Sequence, residues 1–304
     1  MKHLIVNADD FGYTRGVNRG IVEGFQRGIV TSTSLMANGA AFDDAVALVK
    51  AHPDLDVGCH INLVEGTPVS PRSHAARLLG TDERFHNLSG LVARLASGYI
   101  RAADLDRECS AQIERLLQAG IQPSHLDSHK HTHLHPQVAA AVARAAKRYS
   151  IGWVRRPFES LVTRSVPFFR TIVGRSLNLF SAPFARRMAA EGIRMPDSFT
   201  GFGLTGFWTR RAMEETIAAL PAGTTELMCH PGYCDAELDS CPTRLKRQRA
   251  TELEILTIPS WKEMLERLGV TLRGFRDIAA GASLAAPQGE WEIALPTGGE
   301  WSGK

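Results

Sequence analysis

Nothing in this sequence asks for a disulfide framework or a zinc ribbon. Its five cysteines, Cys59, Cys109, Cys229, Cys234 and Cys241, are odd in number and none sits in a C-x-x-C pair, so they read as reduced, mostly buried thiols. Long hydrophobic runs are also missing near the start. Between Met1 and Asp9 the apolar stretch is only Leu4-Ile5-Val6, far short of a signal-peptide core or a membrane helix. The expectation is a soluble, cytoplasmic protein. An excess of one charge is absent too: thirty-five Lys and Arg stand against thirty-two Asp and Glu, leaving +3. No global basic character argues for a nucleic-acid partner.

What is there begins with enough apolar content, 44% of 304 residues, for one large core, since α/β barrels routinely run past roughly two hundred residues as one unit. Short β-branched runs at 3–7, 30–36, 57–63, 125–129, 153–156 and 226–230 alternate with helical patterns at about 14–27, 42–51, 105–119, 136–149 and 209–220. This order implies a mostly parallel sheet with helical crossovers, and the many short strands favour a barrel over an open sheet. The expected organisation is one β/α-barrel catalytic domain over 1–280, with a long loop at 65–87. A helical insertion at 158–194 mixes Phe and Arg, and 281–304 reads as a flexible tail.

The chemistry gathers at strand ends. The first strand closes in Asn7-Ala8-Asp9-Asp10-Phe11-Gly12, two adjacent acids where barrels assemble their sites. Such mutual repulsion suits a bound cation, with one carboxylate as ligand and the other as base; the bland alternative is a cap for the following helix. The third strand carries His60 two residues after Gly58, which alone is more often a satisfied core histidine than a ligand. Residues 125–135 hold five of the eleven histidines. In an extended chain Asp127, His129 and His131 would share one face, and spacing does not choose between His129 and His131 as a metal ligand. Arg155, ahead of Pro157, suits a charge-assisted bond to a carboxylate. His230, ahead of Pro231, could donate a proton from across the barrel. Two histidines and one carboxylate from separate strands leave open positions for water and substrate, as a catalytic metal site requires.

Taken together, Asn7-Ala8-Asp9-Asp10-Phe11-Gly12, Gly58-x-His60, Asp127-Ser128-His129-x-His131-x-His133 and Cys229-His230-Pro231-Gly232 resemble the YdjC-like carbohydrate deacetylases, which include chitooligosaccharide deacetylases and a hopanoid-biosynthesis branch. The resemblance runs from Met1 to about Ile278. It implies a TIM-like (β/α) barrel related to the polysaccharide deacetylases, irregular or of seven to eight strands. It also implies one divalent ion, Zn or Mg first with Mn, Co, Ni or Fe compatible, held by Asp10, His60 and His129. Asp9 would be the general base, His230 as imidazolium the general acid, and Arg155 the residue orienting the base. Asp127, His131 and His133 are left as sugar-contacting candidates. The implied substrate is an N-acetylglucosamine-type sugar, as a chitooligosaccharide or a glycolipid. Basic residues in 158–194 suggest peripheral contact with the inner face of a membrane, and a homodimer is compatible. A metal-dependent phosphoesterase or other hydrolase, or a non-catalytic metal- or sugar-binding protein, is the competing reading.

Overall fold

The computed structural model describes residues 1–281; the expected tail at 281–304 lies, after its first residue, outside the described residues. The sheet is built around β1 (Lys2–Phe11), whose Leu4, Ile5 and Val6 are fully buried, as a parallel strand covered on both faces must be. One edge of β1 pairs with β6 (Gly223–Cys229), and the other pairs first with β7 (Val270–Leu272) and then with β2 (Ser32–Leu35). Beyond β2 come β3 (Asp56–Ile61) and β4 (Leu126–Ser128), and beyond β6 comes β5 (Ser198–Thr200), every pairing parallel.

The crossovers are helical. They are α1 (Arg15–Arg27), α2 (Phe42–Ala51), α3 (Arg72–Ala75), α4 (Leu88–Ala96), α5 (Ala102–Gln118), α6 (Pro136–Arg148), α7 (Phe168–Asn178), α8 (Ser181–Ala190), α9 (Arg210–Ala218), α10 (Ala236–Ser240), α11 (Arg247–Leu256), α12 (Ser260–Arg267) and α13 (Phe275–Gly281). Several start where a polar side chain can take an orphan amide: Thr14, Asn87 and Thr209 accept from Val17, Gly90 and Ala212. The stretch expected to be a helical insertion holds α7 and α8.

The expected β/α barrel is present in an irregular, seven-stranded form among the described residues, a parallel sheet curled toward closure. Its edges approach through single bridges: Leu126 with Val154, then Trp153 with Arg194, a few residues before β5. The strand expected at 153–156 is thus reduced to bridges, because Pro157 and the inward commitment of Arg155 end the extended run. The fourth strand stops at Ser128, and a 3-10 turn over His129–Leu134 follows, with Lys130 and His131 at left-handed φ of 53° and 51°. β5 and β7, three residues each, carried no readable alternation. All the parallel strands present their carboxyl ends to one rim, where Asp9, Asp10, His60, Asp127, His129 and His230 lie.

Deeper in the sheet, Gly58 is required for space. A Cβ there would lie 2.3 Å from the His125 ring, and that ring cannot retreat because it stacks on Phe275 at 3.8 Å. Gly58→Ala should therefore destabilise by about 1–3 kcal/mol, the usual range for overpacking, read as a fall in Tm with unaltered secondary structure. His125 also makes stability pH-dependent. Burial lowers its pKa from 6.5 to about 4, so between those values the unfolded chain binds a proton that the fold refuses. This contribution is complete above pH 6.5 and is lost as pH falls toward 4, by roughly 3 kcal/mol in all. His125→Phe, which keeps the stack, should flatten the slope of stability against pH in that window; an unchanged slope would remove His125 as its origin.

Candidate active site

Two adjacent acids cannot serve one site from a regular strand, since neighbouring side chains point to opposite faces. β1 departs from regularity where it matters. Its register with β2 shifts between Ala8 and Phe11, and Asp10 has φ 69°, a left-handed conformation that Asp tolerates better than most residues. Both carboxylates are consequently buried in the same site while making different contacts.

Asp9 faces Arg155. The guanidinium grips it through two bonds, Nη1 to Oδ2 at 2.7 Å and Nη2 to Oδ1 at 2.6 Å. Asn7 Nδ2 adds a bond to Oδ1 at 3.1 Å. The same Arg155 reaches Asp127 Oδ2 at 2.9 Å and, through Nε, Glu226 Oε1 at 2.7 Å. One completely buried cation thus sits among three buried acids, and its planar fork can satisfy them in a way a lysine cannot. Burial works against the charge of Asp127, yet Arg155 and His60 hold it well below the usual carboxylate range.

Asp10 faces two histidines. Its Oδ1 lies 2.8 Å from His129 Nδ1 and 3.4 Å from His60 Nε2, and one donor atom from each of the three residues lies within 4.8 Å of the others. Asp10 Oδ2 is taken by Arg249, which leaves Oδ1 as the oxygen offered to a ligand. His60 is fixed from behind: its Nδ1 donates to Asp127 Oδ1 at 2.7 Å, so its Nε2 is turned toward Asp10. A carboxylate behind a histidine is how metal-binding imidazoles are oriented. Burial would leave this ring neutral, but Asp127, Asp10 and Asp9 together lift its pKa to about 10. The pocket therefore draws in positive charge, and one oxygen with two imidazole nitrogens is a donor set that fits a divalent transition ion. A second grouping, Asp9, His60 and Asp127, suits a metal poorly because Arg155 already occupies both of its carboxylates.

His230 follows β6 at the same rim. Its backbone N–H donates to Glu252 Oε2 at 2.6 Å, and its ring, 8% exposed, leaves Nδ1 without a partner among the described residues. Burial lowers its pKa to about 4 despite the nearby Asp9 and Asp10. Burial thus opposes the imidazolium form expected from the sequence.

Arg249, Glu252 and Glu226 were not legible as site residues. Arg249 and Glu252 did leave a signal, since they fall at helical spacing with Leu253 and Leu256, placing two charges on the core-facing stripe of α11. From there one turn of helix braces Asp10 through Arg249 and His230 through Glu252.

The structure brings Asp9, Asp10, His60, Asp127, His129, Arg155 and His230 to one rim, but not every expected sugar contact. Asp127 and His133 are completely buried. Asp127 stands behind His60, and His133 Nδ1 pairs with Ser128 Oγ while its ring packs on Phe184; neither can touch a sugar as placed. The extended face shared by Asp127, His129 and His131 is also corrected, because the left-handed turn after His129 sends His131 against Phe199 and Phe202. His129, not His131, meets Asp10.

The profile of the family described as YdjC-like protein matches residues 3–267. The carbohydrate deacetylase of Geobacillus stearothermophilus is 36% identical over 280 residues, covering 91% of this chain and 98% of its own. Proteins of the same name from Mus musculus and Homo sapiens are 35% and 33% identical, over 90% of this chain and 94% and 90% of theirs. Among solved structures, a candidate cellobiose-phosphate cleavage protein from Enterococcus faecalis V583 superposes with a TM-score of 0.72 at 25% identity, over 91% of this chain and 98% of that one.

Proposed function

The chain belongs to the YdjC-like protein family, and from that premise we propose that it is a carbohydrate deacetylase, a metal-dependent hydrolase that removes the acetyl group of an N-acetylated sugar. One observation carries the reading: a three-ligand set, Asp10, His60 and His129, adjoins a second carboxylate, Asp9, that is held by Arg155 instead of by those ligands. When bound, a divalent ion would supply acidified water and a polarised acetamide oxygen; Zn comes first, Mn, Co, Ni or Fe also suit the donors, and two imidazoles make Mg the poorer match.

The remaining work falls to the chain's own residues. Asp9 accepts the proton of the attacking water, and Arg155 holds it in place by its two-pronged grip. Asp127 takes no part in proton transfer; bonded to His60 Nδ1, it aims the opposite nitrogen of that ring at the ion. His230 delivers a proton to the departing amine nitrogen; because burial disfavours its charged form, it first takes that proton from solvent, and Asp9 returns the proton it took from water to solvent after acetate leaves. His131, 8% exposed beside Phe202, is the histidine left to contact the sugar. The substrate we favour is an N-acetylglucosamine-type sugar, either a chitooligosaccharide or the headgroup of a glycolipid such as a hopanoid glycolipid.

Acetate release from a chitooligosaccharide, measured with metal-stripped protein before and after each ion is restored, tests the proposal. Acetate should form only after restoration. Equal release from stripped protein, or none with any ion on any N-acetylated sugar, would overturn it. Cellobiose phosphate belongs in the same series because of the name carried by the Enterococcus protein; its cleavage, with no acetate formed from any N-acetylated sugar, would favour phosphoester or glycoside hydrolysis.

A further inference from the structure

Helix α7 is amphipathic the wrong way round. Phe168, Phe169, Ile172 and Val173, continued by Leu179 and Phe180, fall on one face at helical spacing, and all six are exposed, Phe168 and Leu179 by about four-fifths. The opposite face, toward the protein, carries Gly174 and Asn178, the latter bonded to Glu159 O. Scattered apolar residues on a surface need no account, but a contiguous apolar stripe marks an interaction site.

The charges around the stripe narrow what covers it. Between residues 160 and 190 the chain has five arginines, Arg164, Arg170, Arg175, Arg186 and Arg187, and no Asp or Glu. Arg175, Arg186 and Arg187 are exposed on α7 and α8. A second copy meeting this face about a two-fold axis would set arginines against arginines. An anionic bilayer offers the opposite: acyl chains for the stripe and phosphates for the guanidinium groups. No helix among the described residues is long and apolar enough to cross a membrane, so the contact would be interfacial. The surface adjoins the candidate active site, because Arg170 lies over the rings of Phe169 and Phe202, each at 5.7 Å, and Phe202 stands edge-on to His131 at 5.6 Å.

We infer that α7 and α8 form a docking surface for an anionic phospholipid bilayer, with α7 lying in the interface and its apolar stripe inserted below the headgroups. The test is co-sedimentation of the full-length protein with vesicles of phosphatidylglycerol and phosphatidylethanolamine, against vesicles of phosphatidylcholine alone. Binding should be confined to the anionic vesicles and weaken with salt. The triple substitution Phe168→Ser, Ile172→Ser, Leu179→Ser should abolish it. Arg175→Gln, Arg186→Gln, Arg187→Gln should lower partitioning by on the order of tenfold or more. Both variants should release acetate from a soluble chitooligosaccharide at the wild-type rate, which keeps this result separate from the hydrolase reading. No binding to anionic vesicles, equal binding to neutral ones, or a dimer in solution that the apolar triple substitution dissociates would each overturn the inference.

Discussion

Asp9→Asn should lower kcat by about three orders of magnitude, within the range that general-base catalysis supplies, while the protein still binds its metal ion with near-native affinity. The two halves of this expectation come from different contacts. Asp9 bonds to Arg155 and Asn7, whereas the proposed ligand oxygen belongs to Asp10 and faces His60 and His129. An asparagine keeps the shape and an acceptor oxygen for Arg155 but cannot take a proton from water. Single-turnover acetate release paired with metal analysis of the same sample checks it. Near-native turnover would remove Asp9 as the base, and loss of the ion would place Asp9 among the ligands.

The second large effect concerns Arg155. Arg155→Met leaves Asp9, Asp127 and Glu226 buried without their common cation, and breaking a buried ion pair from one side typically costs about 3–5 kcal/mol. The deficit should depend on pH with a definite sign. Even with Arg155 present, burial raises the Glu226 pKa to about 7; without the guanidinium Glu226 is pushed further up and keeps a proton that the unfolded chain releases. The variant's deficit should therefore be level below about pH 7 and grow as pH rises above it, where Glu226 ionises in the wild type but stays protonated in the variant. Chemical denaturation of wild type and variant across that range reads the difference. Arg155→Lys should recover part of the stability and little of the activity, because a single ammonium cannot hold Asp9 by two bonds. A deficit independent of pH above about 7 would mean that buried Glu226 is not part of the cause.

Strand ends were the legible part of the sequence. Asp9-Asp10, His60 and His230 each follow or interrupt a β-branched run, and a parallel sheet delivers such positions to one rim whatever the details of closure. Distances between them were not legible. Alternation along a strand aligns His129 with His131, an inference that failed because the backbone turns left-handed at Lys130 and His131, and a similar turn at Asp10 is what lets the two adjacent acids share one site. Local sequence signals such departures weakly when the residue is not glycine. The supporting charges were hidden differently. Arg249 and Glu252 look like ordinary surface residues of a helix until their spacing with Leu253 and Leu256 is noticed, and Glu226 lies inside a strand whose burial makes an acid improbable without the partner supplied 71 positions away by Arg155. Long-range pairing of buried charges is where single-sequence reasoning has least purchase, because each partner alone reads as solvated.

The central claim is that Asp10, His60 and His129 hold one divalent ion. Calorimetric titration of stripped protein with Zn or Mn, repeated on His60→Ala and His129→Ala, tests it most directly. One ion per chain should bind to the wild type, with affinity lowered by at least about a hundredfold in each variant. Unchanged affinity in both variants would contradict the account.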